Sequence, residues 1–305
     1  MIRRPAPAGE PCGRATPSAP SAETHPPTYR ERAAPPALAP WVEAFWTVRG
    51  WVAPGCEVVR SVLPDGCMDV IFDLAPDVGL TRGERHFVVG TMTRPLAVPT
   101  SGAVHLAGMR FRPGAAPAFL DLAAHEVVDA RAPLDALWGA DARKAWERLA
   151  AGEEGVVEQL LLPRLRAAAT REDALVRRAA ELLDAGVPPA AADLSRGVGV
   201  GRRQLERRFR DSVGVSPGTL SRILRFRRAA AQIGRGGASL ARIALERGYH
   251  DQPHMNRDFR VFAGRSPGAF RASGSLAAPA GPALPPPPAE SGPRRAPRIP
   301  AHLPP

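Results

Sequence analysis

Cysteine is scarce in this chain. The three cysteines among 305 residues, Cys12, Cys56 and Cys67, form no C-x-x-C pair. That excludes a disulfide framework and a zinc ribbon and fits a reducing compartment. Lysine is scarcer still, with Lys144 alone, so the positive charge is almost entirely guanidinium. Aromatic residues make up 6%, and cores must therefore be built largely from Ala, Leu and Val. Long apolar runs are missing as well: the longest uncharged stretch outside the proline-rich ends, Pro95 to Met109, holds Pro, Ser, Thr, Gly and His. It falls short of the roughly 20 apolar residues that span a bilayer. The opening MIRRPAPAGEPCGR carries arginines with no apolar segment behind them, which does not read as a secretory signal, and a cytoplasmic location is expected.

Catalytic signatures are also wanting. There is no G-x-S-x-G elbow, H-E-x-x-H helix or Walker loop, and Asp65, Asp69 and Asp73 have no recognisable partner base. No catalytic residue is assigned and the chain is not expected to be an enzyme. His86, His105 and His125 are scattered singly, so no metal site is assigned either. The GVGVG run at 197–201 follows a helical stretch rather than a strand, which argues against a dinucleotide loop and leaves no cofactor to assign.

What the chain does have is arginine in one place. The net charge is +11, and between Arg196 and Arg271 seventeen arginines face five acids, a local balance of +12. Everything else nets to minus one. A basic field so confined is the footprint of a polyanion partner, and nucleic acid is the first candidate. Proline is partitioned as sharply, with ten of 35 in residues 1 to 40 and eleven in residues 272 to 305. Both ends hold too few large apolar residues to offset the entropy of ordering, so 1–37 and 273–305 read as disordered tails.

Between the tails the apolar period changes. From Trp41 to Phe111 the pattern is one of short β-type runs (WVEAFWTVRGWV, EVVRSVL, CMDVIFDL, HFVVG, AVHLAGMRF) broken by Gly and Pro turns. After Pro113-Gly114 it becomes helical. The fold class expected is α+β: a mostly β, barrel-like N-terminal domain with trailing helices over 38–170, then an all-α domain over 171–272, with the boundary near Thr170.

The helical part carries a motif twice. In AADLSRGVGVGRRQLERRFRDSVGVSP, residues 191–217, a helix, a glycine turn and a second helix follow one another. Leu205 and Phe209 share one face of the second helix at i and i+4, while Arg203, Glu206, Arg207 and Arg210 share the other. Fifty positions on, in SLARIALERGYHDQPHMNRDFRVFAGRSPGAF, Gly248 supplies the turn and Asp251 a helix N-cap. Met255 and Phe259 then point inward, leaving Gln252, Asn256, Arg257 and Arg260 outward. Arginine can bond bidentately to guanine and Glu can accept from cytosine, so such faces suit the major groove. Two tandem helix-turn-helix motifs result. Of the basic residues, Arg202, Arg208 and Arg260 are expected to favour phosphate over bases.

The string GYHDQPHMNRDFRVFAGRSPGAFR resembles the second-motif signature of AraC-type (AraC/XylS family) transcription regulators, whose two motifs are joined by a long helix, here about Gly218 to Ile233. The resemblance covers roughly 173–272. It implies a sequence-specific, double-stranded-DNA-binding transcription regulator whose base-facing positions in the major groove carry over to Arg203, Glu206 and Arg207 in the first motif and Gln252, Asn256 and Arg257 in the second, with Arg210 and Arg260 as further DNA-binding residues. It further suggests RNA polymerase, a small-molecule effector of unknown identity and a second copy of the chain as partners, with no membrane role. The first motif departs from the family in having Gly201 where a capping Ser is common, so its recognition helix starts uncapped.

WVEAFWTVRGW, LPDGCMDVIFDL and MRFRPGAAPAFL resemble a sensor-like domain of one branch of that family, which points to effector sensing or oligomerisation. Trp41, Phe45, Trp46 and Trp51 are candidates for a ligand pocket or for core. Cys67, close to Asp65 and Asp69, reads as an inert thiol because carboxylates raise its pKa. Two other readings remain, a DNA-tethered enzyme and a non-specific architectural DNA binder. Gln252, Asn256 and Glu206 on the outward faces argue against the second.

Overall fold

A computed structural model describes residues 25–53, 56–75, 84–185 and 191–273. The strands are β1 (His25–Ala33), β2 (Val42–Val52), β3 (Val58–Val62), β4 (Met68–Asp73), β5 (His86–Val89), β6 (Leu96–Thr100), β7 (Gly102–Phe111) and β8 (Arg131–Pro133). Six of them form one antiparallel sheet in the order β1-β2-β7-β4-β5-β8, and β3 and β6 pair separately as a two-stranded ribbon. The sheet is open, since β1 and β8 form its two edges, so the barrel-like curl expected from the sequence is not closed.

Alternation along the strands explains the two layers. On one face Phe45, Val70, Phe72, Val88, Met109 and Phe111 pack against the helices α1 (Ala116–Leu120), α2 (Asp135–Trp138), α3 (Ala140–Ala150), α4 (Val156–Leu161) and α5 (Leu165–Arg171). On the other face Trp46, Val48, Ile71, Phe87, Val89 and Leu106 are covered by Val62, Leu96 and Val98 of the ribbon. Sheet positions of both parities are therefore buried, which the sequence shows as near-continuous apolar runs such as MDVIFD.

One segment expected to be a tail is a strand. β1 lies within residues 1–37, where proline content suggested disorder; it adds to β2 in register from Thr28 opposite Arg49 to Ala33 opposite Ala44. Its backbone is satisfied by the neighbouring strand, and Tyr29 stacks on Trp46 at 6.3 Å, so a large apolar content of its own is unnecessary. The rest of that stretch, 1–24, and all but the first residue of the 273–305 stretch lie outside the described residues.

Helices follow in α6 (Ala174–Asp184), α7 (Ala191–Gly197), α8 (Arg202–Ser212), α9 (Pro217–Arg235), α10 (Leu240–Glu246), α11 (Gln252–Phe262) and α12 (Pro267–Ala272). The 19-residue α9 serves two cores. Leu220 and Leu224 complete a cluster with Val176, Leu183, Leu194, Leu205 and Phe209. Ile223, Phe226, Ala230 and Ile233, on another side of the same helix, join Ile243, Met255, Phe259, Phe262 and Phe270. Among the described residues, no helix is long and apolar enough to cross a membrane.

Candidate nucleic-acid interface

Each motif begins with a packing helix, turns, and presents a second helix of 11 residues. In the first, α7 leads into α8, where Leu205 and Phe209 are buried. In the second, α10 leads through Gly248 (φ +75) into α11, where Met255, Phe259 and Phe262 are buried. The turn needs the left-handed region, which glycine adopts without a Cβ penalty.

Arg203, Arg207 and Arg210 are exposed on α8, and Arg257 and Arg260 on α11, while Glu206, Gln252 and Asn256 are half-buried. Among the described residues Arg203, Arg207, Arg210 and Arg260 make no ion pair or hydrogen bond with protein. Glu206 is different: it accepts from Arg202 Nε at 2.9 Å, one turn back. One Glu206 oxygen is thus engaged by Arg202, while its other oxygen and the remaining Arg202 donors make no bond with described residues. Asn256 Oδ1 is buried without a protein partner.

Arg208 corrects an expectation. Rather than facing phosphate, its Nη1 donates to both oxygens of Asp173, at 3.1 and 3.0 Å, and Asp173 is also the N-cap of α6. Arg208 thus clamps α8 to α6.

The corresponding place in the second motif holds Asp258, 1% exposed. It accepts from Arg222 Nε and Nη2 at 3.0 and 2.8 Å and from Arg225 Nη2 at 3.2 Å, both arginines belonging to α9. Arg225 also lies over the Tyr249 ring at 4.4 Å. Burial, with the Asp258 carboxylate next, pushes the Tyr249 phenol above its usual range. Sequence reading named neither this network nor its members; the one available signal was an acid inside an otherwise basic helix.

The start of each recognition helix behaves as its sequence requires. Asp251 caps α11, accepting from His254 N at 2.6 Å, and that bond is the leading cause holding its carboxyl below the usual range. Gly201 offers α8 no side-chain cap.

Elsewhere the candidates resolve as follows. Cys67 is buried and its thiol is pushed well up by burial and by Asp65 and Glu43. Asp69 is also buried and its carboxyl is pushed up to about 7, burial outweighing Arg110. Trp46 Nε1 donates to it at 2.9 Å. Arg110 lies 3.2 Å from Asp65 and 3.6 Å from Asp69. Of the scattered histidines, His105 accepts from Arg49 Nε at 3.0 Å, His86 neighbours Asp135 at 3.6 Å and His125 neighbours Asp211 at 3.5 Å. An open groove of about 740 Å³ runs along the helix-side face of β1, β2 and β7, lined by Arg30, Phe45, Thr47, Arg49, His105 and, on the loop before α4, Gly155. Of the tryptophans and phenylalanine singled out, Phe45 and Trp46 border this groove while also being core. Trp41 packs on Phe119.

Residues 194–273 match the model of a helix-turn-helix domain, and residues 30–133 match that of a domain of unknown function, DUF6597. Residues 194–273 are an AraC-type helix-turn-helix domain, and the chain is a DNA-binding transcription regulator. Similar solved structures include a transcriptional regulator from Chromobacterium violaceum described by its AraC-type DNA-binding domain. It is 29% identical, with 36% of this chain and 97% of that one covered and a TM-score of 0.33. The C-terminal domain of AraT, a response regulator from Geobacillus stearothermophilus, is 22% identical over 33% of this chain and 86% of its own, with a TM-score of 0.32. ToxT from Vibrio cholerae O395 is 9% identical over 76% of this chain and 98% of its own, with a TM-score of 0.40. No curated protein matches the sequence.

Proposed function

We propose that this regulator is sequence-specific and reads two adjacent major-groove segments, with Arg203, Glu206 and Arg207 of α8 on one and Gln252, Asn256 and Arg257 of α11 on the next, Arg210 and Arg260 adding DNA contacts beside them. The observation that carries this reading is the equivalence of the two helices. They lie fifty residues apart, each with a buried inner row and an outer row led by guanidinium groups, joined by the Glu206 carboxylate on α8 and by the Gln252 and Asn256 amides on α11. Arginine and Asn supply the bidentate patterns that distinguish guanine and adenine edges. The unit that binds is taken as 171–272, and no chemistry is ascribed to the sheet half.

In the same reading the sheet half senses an effector, and the groove along β1, β2 and β7 is where a small molecule would lodge. RNA polymerase and a second copy of the chain are the further partners such a regulator would engage. The test is a binding-site selection with the full chain, followed by salt titrations. A recovered motif with two half-sites is expected, with log affinity falling linearly in log salt as counterions are released. Equal affinity for the recovered and scrambled duplexes would leave only non-specific binding and end the proposal.

A further inference from the structure

The segment joining β5 to β6, Gly90 to Pro95, touches both motifs at equivalent places. Thr91, 1% exposed, donates from Oγ1 to the carbonyl of Val213 at 2.7 Å. Four residues later, Pro95 faces the turn at Gly264, where a Cβ would lie 3.6 Å from Pro95 Cγ. Val213 and Ala263 are the C-caps of the two recognition helices, with φ −110 and −119, and each is followed by a left-handed glycine, Gly214 at +86 and Gly264 at +67. One short segment of the sheet half thus rests on the same structural landmark of each motif.

The segment is itself fixed. Gly90 donates to the Ala130 carbonyl at 3.1 Å and is pressed so close to Val127 that a Cβ would lie 1.8 Å from its carbonyl oxygen. Asp129, a non-glycine residue at φ +52, turns its carboxylate onto Thr93. It accepts from the Thr93 amide at 2.7 Å and from its hydroxyl at 2.5 Å, while its own amide donates to the Thr91 carbonyl at 3.1 Å. A left-handed Asp costs energy and persists where its surroundings hold it. Meanwhile the reading faces stay clear: Arg203, Arg207, Arg257 and Arg260 are exposed, so this contact lies behind the helices and does not cover them.

We propose that Gly90–Pro95 is a strap that sets the spacing and angle of the two recognition helices, with Thr91 and Asp129 as positioning residues for DNA binding. The proposal rests on the two-segment reading above. Joined through α9 alone, the motifs would share one attachment; the sheet half adds others, among them the strap, which reaches the end of both recognition helices, and more than one point of attachment resists relative rotation where one does not. Each base pair inserted between half-sites turns one about a tenth of a helical turn relative to the other, so a rigid pair discriminates spacing and a loose pair does not.

The experiment uses the full chain and duplexes carrying both half-sites at the selected spacing, at that spacing plus or minus two base pairs, and a duplex with one half-site. Wild type should prefer the selected spacing by about tenfold or more, and Thr91→Val and Asp129→Asn should reduce that preference to about threefold or less. Binding to the single half-site should stay within about twofold in both variants, and Thr91→Ser, which keeps the hydroxyl, should restore wild-type discrimination. Circular dichroism of each variant monitors folding. Unchanged spacing discrimination in both folded variants overturns the strap, as does equal loss on single and paired half-sites. If wild type does not distinguish a half-site from scrambled DNA, the base-reading proposal is what fails, and the strap falls with it.

Discussion

The two motifs are built on one plan and held by opposite means. At the same position, fifty residues apart, the first has a basic residue reaching outward to an acid and the second an acid reaching inward to two bases. Arg208 is about a third exposed and meets Asp173 at the start of α6. Asp258 is nearly sealed and meets Arg222 and Arg225 on α9. The cores differ in kind as well. The core that holds Phe209 is otherwise Val, Leu and Ala, whereas Phe226, Phe259, Phe262 and Phe270 pack on one another at 4.9 to 5.6 Å. Motif two is therefore bound to α9 by its own side chains. Motif one leans on its neighbours, including the sheet half, whose Val128 lies beside Gly214 and whose Gly66 turn sits on Leu220. The reading surfaces can be alike while the sources of their rigidity are not.

The largest effect expected from this contrast is at Asp258. Removing the buried Asp258 leaves the Arg225 guanidinium, 12% exposed, uncompensated in a poorly hydrated place, so Asp258→Ala should cost about 3–5 kcal/mol. Arg208→Ala breaks a partly exposed pair and should cost about 0–1 kcal/mol. Urea denaturation of both variants, followed by hydrogen exchange to locate which motif opens, decides it. Equal costs would mean that the two clamps are interchangeable and that the contrast is one of sequence only.

The next effect concerns reading, where the motifs should converge. Arg207 and Arg257 each stand two residues before the inward Phe, on exposed positions. Either one changed to Ala should cost about 1–3 kcal/mol on the selected duplex and relax preference at a base position. Titrations on selected and scrambled duplexes at several salt concentrations check this. Losses of the same size on both duplexes would reduce the two arginines to backbone contacts.

How much of this was legible in the sequence varies with the range of the interaction. Local patterns carried over: the i, i+4 pairs Leu205/Phe209 and Met255/Phe259, the Asp251 cap and the Gly248 turn are all set within a few residues. β1 was missed because its order comes from β2, about twenty residues away, and proline at its start reads as disorder when taken alone. The β-rich half was legible, but whether its sheet closes depends on which edges meet, and period-two patterning does not encode that. Arg208 was expected at phosphate, whereas its partner is Asp173, 35 residues upstream, and no local rule selects that acid. The Asp258 network and the Thr91 contact with Val213, 122 residues apart in sequence, exist only once the chain has folded.

The smallest effect is also the one that tests the contrast where it begins, at the first turn of each recognition helix. The first amides of a helix lack intrahelical acceptors, and a side-chain oxygen at the N-cap supplies one. Asp251 does so for α11, and its replacement by Ala should destabilise motif two by about 1 kcal/mol. Gly201 is at φ −66 and ψ 149, a conformation open to any L-residue, and a Cβ there would meet nothing within 4 Å. Gly201→Ser should therefore fit without strain and stabilise α8, by only a few tenths of a kcal/mol because Gly is itself a tolerable N-cap. Amide hydrogen exchange in the full chain separates the two. Slower exchange is expected in the first turn of α8 for Gly201→Ser, and faster exchange in the first turn of α11 for Asp251→Ala. No change at α8 would mean that its start is already fixed by packing on Leu205. The difference in capping between the motifs would then have no energetic content.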